Sequence, residues 1–421
     1  MFADGKKAGE LNNRGVFFLK RFERLGEMGD IEKAISNLED AVQLTPDGHA
    51  EKPGRLSNLG SSYLRRFERS GDLEDIDRAI SHHQKAVEST PSGHADLPGR
   101  FNNLGNSYSC RFRRSQFFPD VQNSIVSYRR AAAANGAPSI RLGSAKLAAK
   151  LSSTFNDSHC LMDFSIAISL LSEVAGLEQT IHRRHTNLHG HSDLVRSAVA
   201  IALHYNRADR ALEWLEQGRC LVWSQLNQLR TSIDNLHLMK PSLAKRFITV
   251  ASILESYGTR SVSSIPSSHA TLAEDIRLQD DTRNHTLYAT EYRQLLNEIR
   301  GLPGFDSFLQ PLNAANILSS LPSDGPVIIF NLHETRCDAL AVIAGRVEPL
   351  DIPLKNFSLV KAENLQKVLQ FDLLKQRDAE DQDRGLRHVQ HNPSSMSFVL
   401  KELWYELVGP ILEALGYSVR R

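Results

Sequence analysis

The sequence predicts a mostly α-helical chain: an α-solenoid of helical hairpins about 45 residues long, followed by a small α/β domain. Three observations carry this. A block of sequence recurs three times at one spacing. Apolar residues within each copy fall on a helical period. After residue 323 the composition turns to short β-rich runs.

The repeat is read directly. Leu11-Asn12-Asn13-Arg14-Gly15 returns as Leu56-Ser57-Asn58-Leu59-Gly60 and again as Phe101-Asn102-Asn103-Leu104-Gly105. Phe22, Phe67 and Phe112 keep the same 45-residue step, as do Ile35, Ile80 and Ile125 and also Ala41, Ala86 and Ala131. Thr45-Pro46-x-Gly48-His49-Ala50 returns as Thr90-Pro91-x-Gly93-His94-Ala95. A fixed period of this kind marks a stacked-repeat architecture. Within a copy, the first helix is expected over Leu56 to Ser70, with Gly71 as its stop. Asp72 or Asp75 then caps the second, because a short carboxylate accepts from the free N–H groups of a first turn. Ile76, Ala79, Ile80, His83, Ala86 and Val87 lie on one face of that second helix. Thr90-Pro91 ends it, since proline cannot continue the hydrogen-bond ladder.

These pairs resemble tetratricopeptide repeats. The L-G-x2-Y element is Leu59-Gly60-x2-Tyr63 and Leu104-Gly105-x2-Tyr108, the small residue of the second helix is Ala79, and the terminal proline is Pro91. The ordinary repeat has 34 residues; the excess here falls between Gly60 and Ala79 and in the Ser-Gly-His-Ala-Asp loop. The resemblance implies a stacked solenoid with a concave groove, because a single pair cannot bury its apolar side alone.

Helical patterning continues to about residue 230, through Leu147, Ala148 and Leu151, then Ile166 to Val174, then Ser192 to Leu229. Residues 1–230 therefore read as the solenoid. Residues 231–322 read as a helical connector, with a Ser-rich loop at 258–268 and a charged helix from about Leu272 to Arg300. The remainder, 323–421, opens with Pro326 to Leu332, Cys337 to Ala344 and Val347 to Leu354, three short runs with links that suggest a meander. Helices at about Val360 to Leu374 and Ser397 to Leu415 follow, with a mobile charged loop expected between them from Lys375 to Asn392.

Several strings extend the resemblance over the whole chain. They are Ala211 to Arg219 (ALEWLEQGR), Leu302-Pro303-Gly304-Phe305, and Gly325 to Asn331 followed by Arg336-Cys337-Asp338-Ala339-Leu340. The arrangement resembles fungal tetratricopeptide proteins that carry a C-terminal CHAT domain, a caspase- and separase-like fold. Such domains are cysteine peptidases with a His–Cys dyad, the His in an H-G motif after a central strand and the Cys in an S-A-C-type motif ending a later one. No S-A-C string occurs in this sequence, and residues 323–421 match only the amino-terminal portion of the domain. The expectation is a protein-binding scaffold, a pseudopeptidase with no catalytic residue of its own. The alternative is a fragment of a repeat-regulated CHAT endopeptidase whose dyad lies beyond residue 421. A sheet shortened in this way would keep an exposed edge.

Composition narrows the classes further. Fifty Lys+Arg against forty-nine Asp+Glu give a net charge of +1, which argues against a strongly basic nucleic-acid binder. No run is long and apolar enough to span a membrane. The polar start lacks the apolar core of a secretory signal, and Cys110, Cys160, Cys220 and Cys337 form no C-x-x-C pair. A cytoplasmic protein with protein or peptide partners is expected, with no cofactor and no metal. His189-Gly190, the sole H-G pair, falls in the helical region rather than after a strand. Cys337 reads as a buried packing residue despite His333 four positions earlier, and the other three cysteines read as buried thiols on helices. His83 reads as a core histidine beside His82. Arginines recur near the ends of the first helices, and Arg65, Arg66, Arg69, Arg111 and Arg114 are the candidates for a peptide groove. That stripe either attracts an acidic peptide or is neutralised by Glu23, Glu27, Glu68, Asp72 and Glu74 in the same segments; the second reading is favoured.

Overall fold

The computed structural model describes residues 2–417 except 178, 180, 219–220, 222–224, 226–227, 231–232, 259–286, 323 and 383–392. The chain groups into two compact units, Met1–Val174 and Ala175–Arg421. The division expected at residue 230 falls inside the second unit. The Ser-rich stretch lies almost wholly outside the described residues, as do Cys220 and the first part of the charged helix expected from about Leu272.

The first unit is four helical hairpins in succession: α1 (Phe2–Leu25) with α2 (Met28–Gln43), α3 (Lys52–Ser70) with α4 (Leu73–Glu88), α5 (Leu97–Ser115) with α6 (Pro119–Ala133), and α7 (Pro138–Thr154) with α8 (Cys160–Val174). The first helix of the second hairpin begins four residues before the expected Leu56, with Pro53 in its first turn, where a missing N–H costs nothing. Asp72 is the cap of α4, its carboxylate accepting from the Glu74 N–H at 3.0 Å. Asp75, the other candidate, is used differently, as described below.

The end of each first helix obeys the repeat. Gly26, Gly71 and Gln116 occupy one position, and all three are left-handed, at φ 74°, 77° and 56°. A glycine bears this conformation freely, whereas a side chain crowds the following carbonyl and costs about 1–2 kcal/mol. Gln116→Gly is therefore expected to stabilise the first unit by about 1 kcal/mol, read as a higher urea midpoint. A lower midpoint would show that contacts of the Gln116 side chain outweigh the strain.

One apolar cluster runs through the first two hairpins and onto α5, from Leu19 and Phe22 through Ile31, Leu38, Leu59, Tyr63 and Ile76 to Leu104 and Tyr108. Close approach within each hairpin depends on Gly15, Gly60 and Gly105. A Cβ at these three positions would come within 2.5, 2.7 and 2.7 Å of Leu38, His83 and Tyr128 respectively. One repeat position thus accepts three different large side chains, each seated on a glycine.

The second unit contains α9 (Ile181–His189), α10 (Ser192–His204) and α11 (Ala208–Gly218). A separate core gathers the helices Asp234–Met239, Pro241–Gly258 and 287–300 around Phe247, Leu254, Tyr292 and Ile299. Phe305, from the Leu-Pro-Gly-Phe string, packs against it. The three predicted runs form β1 (Val327–Leu332), β2 (Cys337–Val342) and β3 (Leu350–Pro353), an antiparallel meander in the order β1-β2-β3. Phe330 pairs with Ala339 and Ala339 with Ile352. All six residues of β2 are buried, as befits a strand covered on both faces. Cys337, Ala339 and Ala341 meet the C-terminal helices through Leu365, Val399 and Ile411. On the other side, Asn331 donates to the Arg196 carbonyl of α10 at 3.1 Å. The edge strand β1 leaves Val327 and Phe330 exposed.

The helix after β3 runs Leu359–Gln382, eight residues past the expected end at Leu374. The segment read as the start of a loop is helix because Lys375, Gln376, Arg377, Ala379 and Glu380 are strong helix formers. Polarity alone had suggested a loop; the rest of that expected loop lies outside the described residues.

Candidate functional groove

The first helices α1, α3 and α5 present equivalent stripes, spaced i, i+3, i+4 and i+7, to one groove, and α7 adds a shorter stripe spaced i, i+3 and i+4. The stripes are Val16, Leu19, Lys20 and Glu23; Ser61, Leu64, Arg65 and Glu68; Asn106, Ser109, Cys110 and Arg113; and Leu147, Lys150 and Leu151. The spacing selects one face of a helix, and the 45-residue step relates the first three stripes; on α7 only Leu151, 45 residues after Asn106, keeps it. The groove has a volume of about 720 Å³, within the range of small-ligand and peptide-segment sites.

A ladder of polar side chains crosses between hairpins beside it. The Asn58 amide donates to Asn12 Oδ1 at 3.0 Å, the Asn103 amide donates to Ser57 Oγ at 3.2 Å, and Ser144 Oγ donates to Asn102 Oδ1 at 3.0 Å. Asn58 and Asn103 line the groove as well. Tyr128, which seats on Gly105, donates from its hydroxyl to Asn106 Oδ1 at 2.7 Å.

The predicted arginines separate into three kinds. Arg65 lines the groove, where Glu23 and Glu68 bracket it at 3.0 and 2.7 Å. Arg66 and Arg111 are held within their own hairpins. Each makes a two-pronged bond to an aspartate nine residues on, Arg66 to Asp75 at 2.8 and 2.6 Å and Arg111 to Asp120 at 2.8 and 2.7 Å. The same step places Arg21 on Asp30. In all three copies the guanidinium also lies over an aromatic ring three residues earlier, Phe18, Tyr63 or Tyr108, at 5.1, 5.4 and 5.8 Å. The planar fork suits both contacts at once. Arg69 and Arg114 are exposed, line no part of the groove and make no ion pair among the described residues. Five residues named together are thus one groove residue, two hairpin staples and two solvated side chains.

Sequence reasoning passed over Asn58, Ser61, Asn103, Asn106, Lys20 and Lys150. For all but Lys150 the signal was present: the 45-residue step, applied to the face of the first helices that the core leaves free, picks out these positions.

The remaining candidates have structural surroundings. His83 is fully buried; its Nδ1 lies 2.9 Å from Ser107 Oγ and its Nε2 3.2 Å from the Ser57 carbonyl. Burial pushes its pKa down to about 4. The loop residues His49 and His94 accept the Glu51 and Asp96 N–H groups, both at 3.2 Å. Cys110 and Cys160 are buried, and burial raises both thiols, Cys160 to about 11. Cys337 Sγ lies 3.7 Å from the His333 carbonyl, while the His333 ring faces away, with Nε2 at 3.1 Å from Ser197 Oγ and Nδ1 at 2.9 Å from Thr335 Oγ1. Burial raises the Cys337 thiol. These two side chains do not form a thiolate–imidazole pair. Among the described residues no group of side chains could hold a metal ion and no helix is long and apolar enough to cross a membrane.

Fold and groove together define a helical-repeat protein. No family model matches the chain, and no curated protein matches it. Among solved structures, it is similar to the crystal structure of the de novo designed helical repeat protein DHR64, at 17% identity over 51% of this chain and 98% of that one, with a TM-score of 0.25.

Proposed function

We propose that the chain is a protein-binding scaffold that holds extended peptide segments in the groove of its first unit, joined to a CHAT-like α/β region at 323–421. The observation that carries this is the common i, i+3, i+4, i+7 stripe on α1, α3 and α5, continued by Leu147, Lys150 and Leu151 on α7. It lines a continuous channel with amides, hydroxyls and leucines rather than with a catalytic constellation. Amides and hydroxyls offer both donors and acceptors, which a peptide backbone needs along its length. Affinity would come from many modest contacts repeated at each hairpin. The CHAT-like reading draws on the meander with helices on both of its faces. Cys337 fits there as a packing residue, and the repeat-regulated endopeptidase alternative draws no support from it. A cytoplasmic location accords with Cys110, Cys160 and Cys337 being buried and unpaired in disulfides.

Selection of random twelve-residue peptides on the full chain tests the groove. Ser61→Arg places a bulky charge in the channel and is expected to weaken the selected peptides at least tenfold, with unchanged helical circular dichroism. Peptides that bind this variant as tightly as the parent would place binding elsewhere and remove the groove reading.

A further inference from the structure

We infer that the groove is directional: it takes an extended peptide whose acidic residues, about three positions apart, lie over the α5–α7 end against Arg113 and Lys150. This rests on reading the groove as a peptide channel and adds the chemistry and orientation of the occupant.

The two ends of the channel differ in charge. Over α1 and α3 it is lined by Lys20 and Arg65 against Glu23 and Glu68. Both carboxylates there are drawn to Arg65, at 3.0 and 2.7 Å, so that half is balanced. Over α5 and α7 the charged lining is Arg113 and Lys150, with no carboxylate from either helix. The nearest acid is Glu68, which leans across from α3 with Oε1 3.7 Å from Cys110 Sγ while its other oxygen holds Arg65. Arg113 rests its Nη2 against that same sulfur at 2.8 Å. A thiol sulfur is a weak acceptor, and burial keeps this thiol protonated, so the guanidinium keeps its charge unspent. Lys150 makes no ion pair among the described residues.

The ligand spacing follows from the scaffold. Packed helices lie about 8–10 Å apart, and a peptide in the extended polyproline II conformation advances about 3.1 Å per residue with three residues per turn, which puts every third side chain on one face. Cations on neighbouring first helices therefore match side chains about three residues apart. Between them Leu147 and Leu151 offer apolar footing, and Asn103, Asn106 and Ser109 offer hydrogen bonds to the backbone. Opposite charge across an exposed groove contributes chiefly to selectivity and to the rate of encounter.

The test uses the same random-peptide selection on the full chain, run in parallel on Arg113→Gln/Lys150→Gln. Both side chains are exposed, and the one buried group either touches is the Cys110 sulfur, a weak acceptor, so the variant is expected to keep its fold. Peptides selected by the parent should be rich in Asp and Glu at i and i+3. The double variant should bind them about tenfold more weakly, and raising the salt should narrow that gap. Ser61→Arg-sensitive peptides with no acidic bias, or an acidic bias that survives the double variant, would overturn this inference while leaving the scaffold reading in place. If no peptide is sensitive to Ser61→Arg, both fail together.

Discussion

Arg111→Ala lowers the stability of the first unit by about 2–3 kcal/mol, whereas Arg114→Ala, three residues away, changes it by less than about 0.5 kcal/mol. The contrast separates two arginines that look alike in the sequence. Arg111 forks Asp120, whose carboxylate is wholly buried. Truncation leaves that charge without its partner, which is the costly way to break an ion pair. Arg111 itself keeps about a quarter of its side chain exposed, which is why the loss falls below that of a fully buried pair. Its second bond, to Asp77 at 2.6 Å, is a surface contact and adds little. Urea unfolding followed by hydrogen exchange across α5 and α6 measures the difference. Adding Asp120→Ala to the variant should recover part of the loss, because the stranded charge is gone. Equal effects of the two single variants would show that the Arg111–Asp120 bond is not a structural staple.

The second large effect is a loss of stability in acid that traces to His83. The native histidine holds its proton only below about pH 4, whereas an unfolded one binds it near pH 6.5. The unfolded state therefore binds more protons between these values. The stability of the native state is full above pH 6.5, falls as the pH drops, and levels off below pH 4. The gap corresponds to about 3 kcal/mol. The first repeat carries Leu38 at the equivalent position, so His83→Leu is the matched control. It should remove the slope between pH 6.5 and pH 4 from the exchange protection of α3 to α5. A slope that persists in the variant would assign the acid sensitivity to other groups.

Much of the fold is legible because each 45-residue copy states the same thing three times. Glycine stops, the Thr-Pro ends and the aliphatic face of α4 are local signals, and each lies where the pattern places it. The meander was legible from short apolar runs alone. The groove was less so. A sequence shows that arginines recur, but not what they reach. The partner of Arg66 is nine residues on, across a turn, and its carboxylate sits among the candidates for a helix cap. Only the folded hairpin shows that Asp72 caps and Asp75 neutralises. Lys150 was missed for the opposite reason: it lies beyond the three clear copies, no neighbour in sequence marks it, and its relation to Arg113 exists only once the helices stack.

The Arg–Asp staple closes within a single hairpin at each of its three occurrences. A 45-residue segment duplicated in register therefore brings its own counter-charge and strands no buried carboxylate. The rungs that join hairpins are similarly interchangeable, Asn58 reaching back to Asn12 and Asn103 to Ser57. A copy inserted between two others presents an acceptor to the next and a donor to the last. Gain of a whole copy among the first three hairpins thus keeps staples and rungs complete and lengthens the channel by one helix pair, whereas loss of the third would strand the buried Asp163 of α8, whose counter-charge is Arg129.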